Sequence, residues 1–250
     1  MSYCDLHNHL LPGVDDGSES LDETLHFLRR FRAQGVRTLV FTPHLLASEL
    51  DADGVSDVLD LHRRVFEEVV RAVDGDSAYP ELHRGQEILA RRPEDLDRVF
   101  THAEVGLAGS DVLLVEFGFS PPFDPEGVIR RVLGEGRRIL VAHPERYRLP
   151  DEDPVARIAG WREMGALLQV NGGSLLGGYT EQAAETAEAL LDEGLVDIVA
   201  SDHHGHFRTH DPEPTARAIS NRAGERARER LLGRAPGELV LAGACKAARA

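Results

Sequence analysis

Residues 1–17 read M-S-Y-C-D-L-H-N-H-L-L-P-G-V-D-D-G, and what this stretch is for decides the fold. Residues 3–6 have the pattern of a short strand that delivers His7 and His9 two positions apart. Alternate residues of an extended chain point the same way, so both imidazoles can meet one metal ion. Pro12 and Gly13 then turn the chain, and Asp15-Asp16-Gly17 brings two carboxylates back. Neutral imidazole and carboxylate are the ligand set of zinc, manganese and iron sites. A lone H-x-H reads equally well as a surface pair beside an acidic loop, because short motifs match by chance. The residues that follow decide between the two.

Working outward, residues 18–34 have helical spacing, with Leu21, Leu25, Leu28 and Phe31 facing a core, Ser18 or Ser20 as cap and Gly35 as stop. A strand over 36–41 leads into Thr42-Pro43-His44. A helix over 53–73 follows, in which His62 reads as a plain surface or groove residue. A strand over 80–84 leads to Gly85-Gln86-Glu87, and a short helix covers 95–100. Residues 110–117, S-D-V-L-L-V-E-F, form a nearly continuous apolar run, as expected of a central parallel strand. Its one late carboxylate, Glu116, would be costly there unless paired or bound to a metal.

The alternation continues. A helix over 125–135 precedes a strand over 138–142 and His143-Pro144-Glu145-Arg146. A helix over 153–164 precedes a strand over 166–170 and Asn171-Gly172-Gly173-Ser174. A helix over 181–193 precedes a strand over 196–200 and Ser201-Asp202-His203-His204. A long helix spans 212–232, and residues 237–250 form a short helix or tail with no assigned role. Strand-helix units repeated about seven times build a parallel sheet with helices outside. His7, His9, His44, Glu87, Glu116, His143, Asp202 and His204 all fall at one end of those strands. An open sheet spreads such ends along an edge, whereas a closed, TIM-like barrel gathers them on the face where active sites form. The expectation is one α/β domain over residues 1–250 with a metal site at its mouth.

Composition excludes several classes. A net charge of −15 disfavours nucleic-acid duplexes, whose binders carry basic patches. No run of about 18 apolar residues is present, so no membrane span is expected. No basic stretch followed by an apolar run opens the chain, so no signal peptide is expected. Cys4 and Cys245 stand at opposite ends and make no disulfide framework, which points to a reducing cytoplasm.

The blocks D-L-H-N-H, T-P-H, G-Q-E-I, V-E-F, A-H-P-E-R and A-S-D-H-H, in this order, resemble the PHP (polymerase and histidinol phosphatase) superfamily. L-P-G-V-D-D-G and A-H-P-E-R-Y bring the chain close to the manganese-dependent tyrosine-protein phosphatases of bacterial capsule and exopolysaccharide operons. The match runs over about residues 3–205 in separate blocks, each weak alone and specific together. The resemblance implies a distorted (β/α)7 barrel holding up to three metal ions, Mn2+ first, with Fe or Zn as alternatives. It implies that His7, His9, Glu87 and Asp202 hold the first ion. Glu87 would bridge to a second ion, also held by Glu116 and His143. Asp16, His44 and His204 would hold the third. Arg146 and, less securely, Arg208 would grip the phosphate, with Asp5 and Asp15 supporting ligands from behind. This chain has His203-His204-Gly205 where the family often has an amide after the histidine, so His203 and His206 are read as residues of the rim.

The implied reaction is phosphomonoester hydrolysis, with a metal-activated hydroxide attacking phosphorus in line and an aryl alcohol leaving. No C-x5-R loop surrounds either cysteine, so no thiolate nucleophile is called for. Phe117, Phe119, Pro121, Pro122 and Phe123 form an apolar stretch able to receive an aromatic ring or simply to pack. The expected partner is a phosphotyrosine protein, a bacterial tyrosine kinase among the candidates, with the oligomeric state open. Two other readings share the site: a phosphatase of a sugar, nucleotide or histidinol-phosphate-like metabolite, and a non-catalytic metal-binding regulator.

Overall fold

The computed structural model describes residues 2–150 and 153–239. Among the described residues nine short strands, all paired in parallel, form two sheets. The strands are β1 (Tyr3–Asp5), β2 (Val36–Phe41), β3 (His44–Leu45), β4 (Glu81–Arg84), β5 (Glu87–Leu89), β6 (Val112–Glu116), β7 (Arg138–Ala142), β8 (Leu167–Asn171) and β9 (Ile198–Ala200). The first sheet runs β1-β2-β4, the second β3-β5-β6-β7-β8-β9. The strand read over 36–41 is β2 with the same bounds. The chain then breaks at Thr42-Pro43, where proline has no N–H to give a ladder, and enters the second sheet as β3, a strand not expected from the sequence. Gly85-Gln86 divides β4 from β5, with the Gly85 N–H donating to the Phe41 carbonyl at 2.8 Å. His44 and Glu87 thereby become direct register partners.

The two sheets meet along a seam. Asn8 forms an isolated parallel bridge with His203. The Asp202 N–H donates to the His7 carbonyl at 2.8 Å, and the His9 N–H to the His203 carbonyl at 2.8 Å. Buried Asp5 accepts from the Ser201 N–H at 2.9 Å and its hydroxyl at 2.8 Å, so β1 is tied to β9 before either delivers a functional residue.

Both faces of the central strands are apolar, which is why they read as continuous runs. Val112 and Leu114 of β6, with Leu140 and Ala142 of β7, pack with Leu6, Val40 and Ile198 on one side. Leu113 and Val115, with Ile139 and Val141, pack on the other side against helices. The helices are α1 (Leu21–Ala33), which packs through Phe27, Leu28 and Phe31 on Val36, Leu39 and Phe41 of β2, and α2 (Ala52–Val73), α3 (Pro125–Gly134), α4 (Pro154–Glu163), α5 (Gly172–Leu175), α6 (Glu181–Asp192), α7 (Pro212–Ala223) and α8 (Glu225–Glu229). Ser20 caps α1 by accepting from the Glu23 N–H, but the buried face is Thr24, Phe27, Leu28 and Phe31. Leu21, expected inside, stands 36% exposed. The helix read over 212–232 breaks at Gly224, whose φ of +86° suits a residue without Cβ. His62 is buried rather than superficial, with its Nδ1 2.8 Å from Gln86 Oε1. Of the tail read at 237–250, residues 240–250 lie outside the described residues. No helix among the described residues is long and apolar enough to cross a membrane.

Candidate metal centre

His7 and His9 leave β1 with their outer nitrogens already engaged. His7 Nδ1 lies 2.8 Å from Gln169 Oε1, and His9 Nδ1 lies 2.7 Å from Asp15 Oδ2. An oxygen acceptor draws the ring proton to Nδ1 and leaves the Nε2 lone pair free. The two Nε2 atoms face each other at 3.3 Å. Glu87 Oε1 is 3.2 Å from His7 Nε2, and Glu87 Oε2 is 3.3 Å from His9 Nε2. Asp202 Oδ1 is 3.5 and 3.4 Å from the same two nitrogens. Two facing lone pairs flanked by two carboxylates form a cradle for a cation.

Two further groups adjoin it through shared residues. Glu87 Oε1 is 2.8 Å from His143 Nε2, and its Oε2 is 2.9 Å from His44 Nδ1. His44 Nε2 and His204 Nε2 converge on Asp16 Oδ1 at 3.3 and 3.4 Å. Donor atoms within 4.8 Å of one another define three sets: His7, His9, Glu87; His44, Glu87, Glu116; and His9, Asp16, His44, His204. The nine residues expected as ligands are therefore gathered in one place, with His9, His44 and Glu87 each in two sets. Asp202 and His143 join through the contacts above rather than as members of a set.

The residues fit a metal on two grounds. His143 Nδ1 is buried without a hydrogen-bond partner among the described residues, and the close contacts of Glu87 Oε2 and His204 Nε2 are not directed as hydrogen bonds, which is costly for buried polar atoms. The charges are also arranged for a cation. Burial, then repulsion from Glu87, pushes Glu116 up to about 7. Burial would raise Glu87 as well, but His7 and His44 hold it well below the usual carboxylate range. Burial pushes His143 down to about 4, keeping its lone pair available.

The backbone is strained at two of these positions. His143 follows β7 with φ +32° and Asp202 follows β9 with φ +49°. Left-handed conformations are uncommon in residues with a Cβ and persist where the surroundings impose them. Gly17 closes the acidic turn against His9: a Cβ there would lie 1.8 Å from the His9 carbonyl oxygen.

Arg146 reaches the same group of residues through Asp202. Its Nη1 is 2.7 Å from Asp202 Oδ2, and its guanidinium lies between Phe119 and Tyr179, at 4.6 and 4.1 Å from their ring centres. Arg208 sits across the mouth, 3.8 Å from Asp16 Oδ2, in a cleft of about 290 Å³ shared with His204 and Phe207. Asp15 supports His9 as expected, whereas Asp5 reaches no ligand side chain and fastens the seam instead. His203, expected at the rim, is buried, edge-on to Phe27 at 4.4 Å, with its Nδ1 accepting from the His210 N–H. His206 is exposed. Tyr179 was missed. Gln169 was missed too, although a glutamine inside L-L-Q-V is a polar interruption that could have drawn notice.

Chelated protein is expected to lose stability as pH rises from 7 to 9. Burial and His9 lower the His44 imidazole, but Glu87 and Asp16 outweigh them and lift it to about 10 from 6.5. A raised histidine contributes stability that is complete below 6.5 and is lost as pH climbs toward the folded value. Metal ligation requires neutral imidazoles, so the loaded protein lacks this loss. Melting temperatures with chelator and with manganese, at pH 7 and 9, check it; parallel curves would contradict it.

The chain is similar to several known proteins. The tyrosine-protein phosphatase YwqE of Bacillus subtilis (strain 168) is 30% identical over 216 residues, spanning 80% of this chain and 76% of the relative. The tyrosine-protein phosphatase CpsB of Streptococcus agalactiae is 27% identical over 206 residues, spanning 80% and 82%. Among solved structures, a match comes from work on YwqE of Bacillus subtilis and CpsB of Streptococcus pneumoniae, described as metal-dependent tyrosine phosphatases. Its TM-score is 0.79 at 24% identity, covering 95% of this chain and 94% of that one. A Lactococcus lactis histidinol phosphate phosphatase with zinc, L-histidinol and phosphate matches with TM-score 0.52 at 13% identity, covering 90% and 95%. At these identities the two structures speak to fold alone. Residues 3–241 match the profile of the capsular polysaccharide synthesis family CpsB/CapC, and the chain belongs to that family.

Proposed function

We propose that this chain is a metal-dependent protein-tyrosine phosphatase whose centre is built by His7, His9, Asp16, His44, Glu87, Glu116, His143, Asp202 and His204. The observation that carries the reading is the shared carboxylate of Glu87, close to four imidazoles and common to two donor sets. We assign up to three ions, manganese by preference, since the mixed imidazole and carboxylate set also suits iron or zinc. His7, His9, Glu87 and Asp202 hold one; Glu87, Glu116 and His143 a second; Asp16, His44 and His204 a third. We read the two sheets and their seam as one distorted seven-stranded barrel, counting β2–β3 and β4–β5 as single interrupted strands, and residues 1–250 as one domain.

Divalent ions held there supply a water acidic enough to act as nucleophile at neutral pH, and positive charge against the phosphoryl oxygens. The chain's own residues do the rest. Arg146, pinned between two rings, presents a planar fork to the non-bridging oxygens. Arg208, beside Asp16, offers a second guanidinium to the phosphoryl group. Phe119 is 42% exposed and stacked 5.7 Å from the His143 ring, so it offers the departing aryl group an apolar wall. A phenolate is a good leaving group, so no strong general acid is required of the chain. The substrate is a phosphotyrosine protein, with a bacterial tyrosine kinase a candidate.

Hydrolysis by the manganese-loaded protein of phosphotyrosine peptides, phosphoserine peptides, histidinol phosphate, sugar phosphates and nucleotides tests this. Phosphotyrosine turnover is expected to lead, and Phe119→Ala to lower it more than turnover of alkyl phosphates. A metabolite hydrolysed far better would move the protein to small-molecule metabolism, and metal binding without turnover of any ester would leave a regulator.

A further inference from the structure

Strand β8 brings no imidazole or carboxylate to the mouth, yet its inward residues are the buried amides Gln169 and Asn171. In register, Gln169 pairs with the apolar Ala142 of β7, and Leu114 and Leu140 line the layer beneath, while β6 ends in Glu116 of the proposed centre. Two fully buried amides there must satisfy one another or something else. They are linked in one chain of hydrogen bonds. Gln169 Oε1 lies 2.8 Å from His7 Nδ1. Gln169 Nε2 donates to Asn171 Oδ1 at 2.7 Å. Asn171 Nδ2 donates to Asp202 Oδ2 at 2.6 Å. The amide orientation follows from its neighbours, since the His143 backbone N–H also points at Gln169 Oε1, at 3.4 Å.

Resting on the metal centre proposed above, we infer that Gln169 and Asn171 form a positioning relay that locks two ligands from opposite sides of the seam, His7 and Asp202, into their metal-ready states. At one end the relay accepts the His7 Nδ1 proton, which leaves Nε2 as the lone pair. At the other end it occupies Asp202 Oδ2, together with Arg146 and the Tyr179 hydroxyl at 3.1 Å. Asp202 Oδ1 is thereby left facing His7 and His9. Carboxylates and carbonyls behind ligating histidines commonly fix tautomer and ring orientation in this way. The relay is an all-amide version that also reaches a second ligand, so the two ligands are oriented by one connected unit. Its members titrate nowhere near neutral pH, so the lock does not depend on protonation of the relay itself.

The test uses the full chain with Gln169→Leu, Gln169→Glu and Asn171→Ala. Manganese affinity is measured by calorimetry, and the His7 tautomer by ring 15N shifts of the metal-free, histidine-labelled protein, at a pH high enough to neutralise an imidazole that Glu87 and Asp202 raise against its burial. Gln169→Leu is expected to weaken manganese binding by roughly 10- to 100-fold and to give mixed His7 tautomers. Gln169→Glu keeps an acceptor on His7 Nδ1, so it is expected to retain the wild-type tautomer and bind more tightly than Gln169→Leu. Asn171→Ala is expected to weaken binding while leaving the His7 tautomer in place, because only the Asp202 end is cut. Wild-type affinity and tautomer in Gln169→Leu would overturn the relay and leave the metal centre standing. Should Gln169→Leu not fold, equal affinity of Asn171→Ala, Gln169→Glu and wild type would overturn it instead. Wild-type protein that takes up no metal would overturn the centre, and the relay with it.

Discussion

Glu87→Gln is expected to reduce phosphotyrosine hydrolysis by more than about 100-fold, because residues behind metal ligands are alone worth ~10–100-fold and Glu87 lies in front of them. Its two oxygens lie within 3.3 Å of His7, His9, His44 and His143. Replacing one oxygen by an amide nitrogen removes the charge and sets a donor against nitrogens that need to offer lone pairs. Metal uptake should fall together with turnover. The metal-free fold should persist in shape, since the seam is held by Asp5, Ser201 and backbone bonds rather than by Glu87. In metal-free protein the depressed Glu87 contributes stability that is present above the ordinary carboxyl range near 4.5 and lost on acidification, so Glu87→Gln should flatten the acid limb of the stability curve. Atomic absorption on the purified variant, alongside kinetics, checks the result. A variant carrying full metal and near-normal turnover would remove Glu87 from the centre.

Arg146→Lys is expected to lower kcat by about 100- to 1,000-fold, the range for loss of one preorganised charge-stabilising group. The change should appear chiefly in kcat, with metal content unaltered. Lysine keeps the charge but not the planar fork, nor the stacking between Phe119 and Tyr179. Asp202 retains its contacts from Asn171 and Tyr179, so the metal side of the carboxylate need not move. Steady-state kinetics on an aryl phosphate, with metal titration in parallel, separates loss of phosphate stabilisation from loss of metal. A raised KM with unchanged kcat would reduce Arg146 to ordinary ground-state binding.

Much of the centre was legible before any coordinates, for a physical reason. A parallel α/β fold places strand ends on one face, so residues that follow apolar runs are brought together whatever their separation in sequence. His7, His9, Glu116, His143 and Asp202 follow that rule directly. His44 and Glu87 follow it less simply, since each opens a strand of its own, after Thr42-Pro43 and Gly85-Gln86. Helix faces were less legible: Thr24 displaced Leu21 in the buried stripe of α1 because its hydroxyl reaches the Leu10 carbonyl at 2.9 Å. His62 and His203 looked superficial, since sequence does not say which side of a helix or loop will be covered.

The sequence by itself determined the succession of strands and helices, the chemical class of the site and the residues offered to it. These follow from local periodicity and from residue types that carry their chemistry wherever they stand. Only the tertiary structure decided that β2 and β4 change sheets at Pro43 and Gly85. Nor could sequence tell that Asp5 fastens β1 to β9, or that Gln169 stands behind His7, 162 positions away in sequence. Such contacts depend on packing across the seam, and the energy of a buried hydrogen bond is fixed by distance in space, not by separation along the chain.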